Sequence, residues 1–330
     1  MCTKPRIIVP GVYYQIYSKG VSGEKILKDR KMKEFFLKEL AISLEKYAFQ
    51  CCSWSVMDDH YHLVVKSSEV PISKFMQRLN SVYAKKFNRE NKREGVVFFR
   101  RYASVISEET ELKKLIRYVH LNPVRCGLCT LEQLDHHEWS GHGAVVQGSD
   151  GRILDKDALL AQFPGSDPLS QYRDYINSEK ADGGDELIRI VRNANRGKVN
   201  FSKWESWVIG SEHFVLDVLQ KDRSRRARIA RHIMENATLE KLHESLQLCF
   251  VSEREQLYRQ GRINQKSTCR ELFAYVGACR YDFHHTEIAE YLGITGSGVS
   301  RMISRYPKIS QQEYLVGTVC RCLSDSQSVS

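Results

Sequence analysis

Along residues 7–121 the spacing of apolar side chains switches repeatedly between two and about 3.6 residues. The order of those switches limits the fold more than any single motif. Residues 7–17 (IIVPGVYYQIY) are β-branched and aromatic and read as a strand interrupted near Pro10 and Gly11. Residues 29–47 then place Met32, Phe35, Phe36, Leu40, Ile42 and Leu44 at helical spacing. Residues 49–54 and 56–65 predict two strands, and residues 72–88 a second amphipathic helix with Phe75, Leu79, Val82, Tyr83 and Phe87 on its apolar side. A strand over 95–106 (GVVFFRRYASVI) and a helix over 108–121, ended by Pro123, complete the series. The order β-α-β-β-α-β-α predicts the α+β class, as a split-βαβ, ferredoxin-like sandwich.

Beyond about residue 130 the character changes. Residues 136–143 (HHEWSGHG) read as a loop and 148–151 as a turn. Residues 155–235 read as short helices broken at Pro164-Gly165 and at 181–184, and residues 239–318 are helical again. A chain of 330 residues suggests about two domains. The expected organisation is a first domain over 1–148, a helical linker region over 149–238, an all-α domain over 239–322 and a tail over 323–330. No run approaches the roughly 18 apolar residues of a membrane span, and the N-terminus shows no signal-peptide core, so the expectation is a cytoplasmic protein without a membrane partner. Ten cysteines in 330 residues are too sparse for a disulfide scaffold. The CxxC of Cys126 and Cys129 lacks a second pair at zinc-site spacing and reads as reduced thiols.

Charge is unevenly divided. Up to residue 130 there are 24 basic and 13 acidic residues, a net of +11; the remainder has 26 and 27, a net of −1. An excess confined to one domain is the footprint of a phosphate-binding surface, although a solvated basic face gives the same count.

Two segments could carry chemistry. In Met57-Asp58-Asp59-His60-Tyr61-His62, strand alternation turns His60 and His62 to one face and Tyr61 to the other. Two imidazoles side by side suit one divalent ion; a half-exposed strand or a satisfied core presents the same pair. In Leu115-Ile116-Arg117-Tyr118-Val119-His120-Leu121-Asn122-Pro123-Val124-Arg125, helical spacing puts Tyr118 and Asn122 on one side. There a hydroxyl and an amide oxygen stand together, unless Tyr118 only packs and Asn122 only ends the helix.

Together the two segments resemble the single-tyrosine HUH transposases, most closely the REP-associated tyrosine transposases. His60-Tyr61-His62 is similar to that family's His-hydrophobic-His motif. The run from Tyr118 to Leu128 (YVHLNPVRCGL) is similar to its tyrosine-helix signature. Pro5-Arg6-Ile7, Pro10-Gly11-Val12-Tyr13-Tyr14 and Arg101-Tyr102 fit as well, over residues 4–145 in all. The resemblance implies a metal-dependent single-stranded DNA endonuclease and strand transferase. Tyr118 would be the nucleophile, and Mg²⁺ or Mn²⁺ would be held by His60, His62 and Asn122. Single-stranded hairpin DNA would lie against Arg101, Arg117 and Arg125. It departs from the pattern where Asp58-Asp59 replaces Pro-Asn, Gln15 a frequent histidine and Lys19 a frequent arginine. The rival readings are a non-catalytic, sequence-specific DNA-binding regulator derived from such an enzyme, and a replication or conjugation nickase. The nickase is disfavoured because the tyrosine follows the histidines.

In the C-terminal half, residues 286–303 (TEIAEYLGITGSGVSRMI) show a short helix, a turn at Gly293 and a second helix, the pattern of a helix-turn-helix. It resembles the DNA-binding domain of bacterial replication initiators. Ser297, Ser300, Arg301 and Arg305 would then face duplex DNA. The basic run 221–228 (KDRSRRAR) could add phosphate contacts or could be a solvated face.

Overall fold

The computed structural model describes residues 8–148, 152–178, 186–196, 207–222, 225–249, 265–306 and 312–325. Pro5, Arg6 and Ile7, the turn at 149–151, the break at 181–184, Arg223 and Ser224, and residues 326–330 lie outside them. The chain divides into two compact units between Val215 and Leu216. Residues 152–215, expected as linker, therefore belong with the first domain. Chain segments that bury their apolar faces against one core cannot be told apart from a linker by composition alone.

The first unit is built on a sheet. Strands β1 (Tyr13–Lys19), β2 (Gln50–Val56), β3 (His60–Lys66) and β4 (Ala103–Ser107) alternate with helices α1 (Arg30–Tyr47) and α2 (Ile72–Glu90) as the periodicity predicts. The spatial order is β2-β3-β1-β4, antiparallel throughout, which is the split-βαβ arrangement. An unforeseen short strand, β5 (Val208–Ile209), adds parallel to β4. One sheet face is closed by α1 and α2. Tyr61 lies 4.5 Å from Phe36 and its hydroxyl donates to Asn80 at 2.5 Å.

Three local expectations shift. The first strand begins at Tyr13, because Pro10 and Gly11 form a turn before it. The strand expected over 95–106 is confined to Ala103–Ser107. β1 and β4 pair only as far as Tyr17 and Ala103. Residues 95–102 leave the ladder and rejoin the end of β1 at a bridge between Gly20 and Phe98, where Phe99 N donates to Lys19 O at 2.9 Å. The helix expected over 108–121 is α3 (Leu112–His120), after one 3₁₀ turn. Pro123 lacks the N–H that Val119 would need to continue the ladder. It opens a second helix, α4 (Asn122–Arg125), whose first turn needs no such donor. Helices α5 (Gly141–Gln147), α6 (Lys156–Leu160), α7 (Pro168–Asn177) and α8 (Glu186–Asn195) follow.

The described part of the second unit is helical: the end of α9 (Glu212–Lys221), then α10 (Arg225–Met234), α11 (Leu239–Cys249), α12 (Gln265–Arg280), α13 (His285–Leu292), α14 (Gly296–Arg305) and α15 (Gln312–Asp325). Leu242, Leu272, Phe273, Ile288, Val299, Val319 and Leu323 share its core. Leu323, expected to open a frayed tail, is fully buried. Of the basic run, Lys221 forms an exposed pair with Asp217 at 2.6 Å on its own helix, whereas the partly buried Arg228 pairs with Asp282 at 3.1 Å and holds α10 to the turn after α12. No helix among the described residues is long and apolar enough to cross a membrane.

Candidate active site

The pleat of β3 presents His60 and His62 on the sheet face that α3 covers, their ring centroids 5.3 Å apart and nearly perpendicular. Tyr17, opposite His62 in the ladder, sits 5.4 Å from His60 and 5.0 Å from His62. Asp59 hydrogen-bonds His60 Nδ1 at 2.5 Å. Burial works to lower the His60 pKa, but hydrogen bonds with Asp59 and Cys126 outweigh it and the pKa rises. His62 is the opposite case. Burial first, then the charges of His60 and Arg125, hold its pKa well below the usual value, so it is neutral and keeps a lone pair at neutral pH. Gln15, fully buried, meets His62 Nδ1 at 3.1 Å.

Tyr118 comes from α3, its ring 5.6 Å from His62 and perpendicular to it. Burial raises its pKa, while Arg125, Arg192, Asn195 and Asn122 all pull the other way. Arg125, from α4, lies over the Tyr118 ring at 5.0 Å and donates to the Tyr118 backbone oxygen at 2.6 Å. Burial lowers its guanidinium pKa to about 10, which still leaves it charged at neutral pH. Asn122, one turn beyond Tyr118, donates to the same oxygen at 3.4 Å.

His60, His62, Tyr118, Asn122, Arg101 and Arg125 line one cavity of about 590 Å³. The structure thus brings six of the expected first-domain residues together. Arg117 is not among them: it is buried, donating to Tyr175 O at 3.0 Å and Ser178 O at 2.5 Å. α3 is buried almost all round, so a side chain between Tyr118 and Ile116 has no solvent to reach, and Arg117 holds the end of α7 instead. Exposed Phe99, with Arg100 stacked at 5.6 Å, also lines the cavity, as do Arg192, Asn195 and Arg196 of α8 and its end. Sequence reasoning missed these last three. The only trace of them is a basic pair four apart on an amphipathic helix.

Among the described residues no three His, Cys, Asp or Glu side chains gather as a metal cluster. Two imidazoles and an amide oxygen do share the cavity, a set that fits a hard or borderline divalent ion with open positions. Cys126 and Cys129 are free thiols.

A second histidine pair lies elsewhere on α3's surroundings. His120 Nδ1 meets the Tyr172 hydroxyl at 2.8 Å, and His142 Nδ1 meets the same hydroxyl at 2.6 Å. His142 Nε2 contacts Asp135 at 2.9 Å. Gly141 packs so close that a Cβ there would stand 2.9 Å from His120 Nε2.

In the second unit, the αL turn at Gly293 (φ 64°) joins α13 to α14, a conformation that glycine adopts without cost. Thr295 caps α14 by accepting from Gly298 N at 3.2 Å. Ile288, Ala289 and Val299 are buried, while Ser297, Ser300, Arg301 and Arg305 are all exposed.

Residues 9–122 match the family described as "Transposase IS200 like", which bears out the resemblance over the segment that holds the histidines and the tyrosine. A solved REP-associated tyrosine transposase, bound to a REP hairpin, is similar at 15% identity and a TM-score of 0.37. The match covers 48% of this chain and 93% of that one. No curated protein matches the chain.

Proposed function

We propose that the first unit cuts and rejoins single-stranded, hairpin-forming DNA through a covalent bond to Tyr118, and that the second unit binds duplex DNA. One observation carries the first part: the Tyr118 hydroxyl, two histidines and Asn122 reach a single cavity lined by arginines. The similarity of residues 9–122 to IS200-like transposases supports it. In the reaction, Tyr118 Oη bonds to the scissile phosphorus as the bond from phosphorus to O3′ breaks. The phenol gives up its proton, the electron pair leaves on O3′, which takes up a proton to become a free 3′-hydroxyl, and the other strand end stays as a 5′-phosphotyrosine. Because the link conserves one phosphodiester, a second 3′-hydroxyl reverses the step without ATP. Arg101 and Arg125 meet the phosphate charge, and Phe99 offers an exposed ring to an unpaired base. Asp59 orients His60, and burial keeps His62 neutral. Held by His60, His62 and Asn122, a Mg²⁺ or Mn²⁺ ion would supply Lewis-acid polarisation of the phosphate.

The test is incubation with single-stranded hairpin DNA from the gene's own flanks and Mn²⁺, followed by denaturation. Wild type should leave a protein–DNA adduct, and Tyr118→Phe should bind DNA but leave none. An adduct in the Phe variant sinks the assignment, and hairpin binding without cleavage by wild type would favour the non-catalytic regulator. In the second unit, we read the α13–α14 pair as a helix-turn-helix with α14 toward the major groove. Arg301→Ala should weaken duplex binding by about 1–3 kcal/mol. Unchanged affinity would count against that reading.

A further inference from the structure

We infer that α8, which lies outside the family-matched segment, completes the catalytic pocket. In this assignment Asn195 donates to the nucleophile, and Arg192 and Arg196 contact phosphates of the strand being cut. The inference rests on the nuclease reading above. Ile188, Val191 and Ala194 form the buried stripe of α8, which packs against β4, α3 and β1. The positions beside that stripe, Arg192, Asn195 and Arg196, fall three and four apart and reach the cavity wall together. Arg100 Nη2 donates to Asn195 O at 2.9 Å, which ties the end of the helix to the loop before β4.

Asn195 Nδ2 stands 3.4 Å from Tyr118 Oη, the oxygen that must carry negative charge as it attacks. A donor at that distance gains strength as the charge develops, whereas the neutral phenol needs it little. Asn195 Oδ1 is buried and without a hydrogen-bond partner among the described residues, so the amide is not fully engaged by the fold. A side chain kept only to stabilise a helix end would have both ends of its amide satisfied or in water. With Arg192 and Arg196, the cavity draws guanidinium groups from three separate elements: the loop before β4, α4 and α8. A strand entering it meets cations on several walls, which is the arrangement that tracks a phosphate backbone.

Two measurements on the full chain test this. Binding of a fluorescent oligothymidylate is followed against salt. Arg192→Ala and Arg196→Ala should each lower the slope of log K against log salt by about 0.7, the value for one lost phosphate contact on a single strand. Arg192→Lys should restore it, and unchanged slopes in both alanine variants would overturn the phosphate role. Second, adduct formation on the hairpin DNA is resolved into kcat and KM. Asn195→Ala should lower kcat by roughly tenfold or more with KM little changed, as loss of a hydrogen bond to a charged group requires. Asn195→Ser, which keeps a donor, should recover part. A wild-type kcat in Asn195→Ala overturns the donor role. If Asn195→Ala melts early, Asn195→Asp, of equal size and without the donor, decides the same point. Should wild type form no adduct at all, the nuclease reading fails, while the salt slopes still decide Arg192 and Arg196.

Discussion

Two pairs of histidines sit around one helix, and the same side chain does opposite work in each. His60 and His62 open into a cavity lined by arginines, with one imidazole charged more readily than usual and the other kept neutral. His120 and His142 are closed in around the Tyr172 hydroxyl, and burial lowers the pKa of both. Both pairs have hydrogen-bonding partners and aromatic neighbours. Access to an arginine-lined cavity separates them. The first pair suits binding and chemistry, whereas the second is a polar joint that fastens α3 to α5 and α7.

The sharpest break is His62→Ala against His120→Ala. The first should abolish both Mn²⁺ binding and cleavage; the second should leave calorimetric Mn²⁺ stoichiometry intact and lower the melting temperature. Loss of Mn²⁺ binding in His120→Ala would erase the distinction. Next is Gly141→Ala, which drives a methyl group into His120 and the Trp54 ring. It should cost about 1–3 kcal/mol in denaturant unfolding without altering metal affinity.

The third effect is pH dependence. A histidine whose folded pKa is depressed leaves stability unchanged while both states are neutral. As pH falls below the unfolded value of 6.5, only the unfolded state gains the proton and stability drops. Each such histidine should contribute about 1.4 kcal/mol per pH unit between pH 6.5 and its folded pKa. In metal-free protein, His120→Gln should reduce that slope by one proton's worth, and an unaltered slope would mean that His120 is not held neutral. The smallest effect contrasts two arginines by position. Arg101→Ala should weaken single-strand binding less than tenfold and leave melting unchanged. Arg117→Ala should do the reverse, because its partners are the carbonyls of Tyr175 and Ser178.

Much of the first sheet was legible because its alternation is local. His60 and His62 share a face through the pleat alone, and Tyr118 and Asn122, four apart, reach one cavity even though α3 gives way to α4 between them. What lay hidden depended on contacts distant in the chain. Asn195 reaches Tyr118 across 77 positions, and no periodicity announces that pairing. Arg117 misled for a related reason: a charged side chain suggests solvent, yet α3 has almost none around it. Residues 95–102 misled because their strand-like composition says nothing about whether a partner strand continues beside them.

The pairing of β5 with β4 has a practical consequence for anyone dissecting the chain. Ile106 N donates to Trp207 O at 2.9 Å and Glu108 N to Ile209 O at 2.8 Å. A fragment cut at Gly148, the end of the first domain expected from sequence, would bare those amides along one side of β4 and turn it into an open edge. An unpaired edge is a template for other chains, so such a fragment should self-associate. One carried to residue 215 keeps its edge covered and should remain monodisperse.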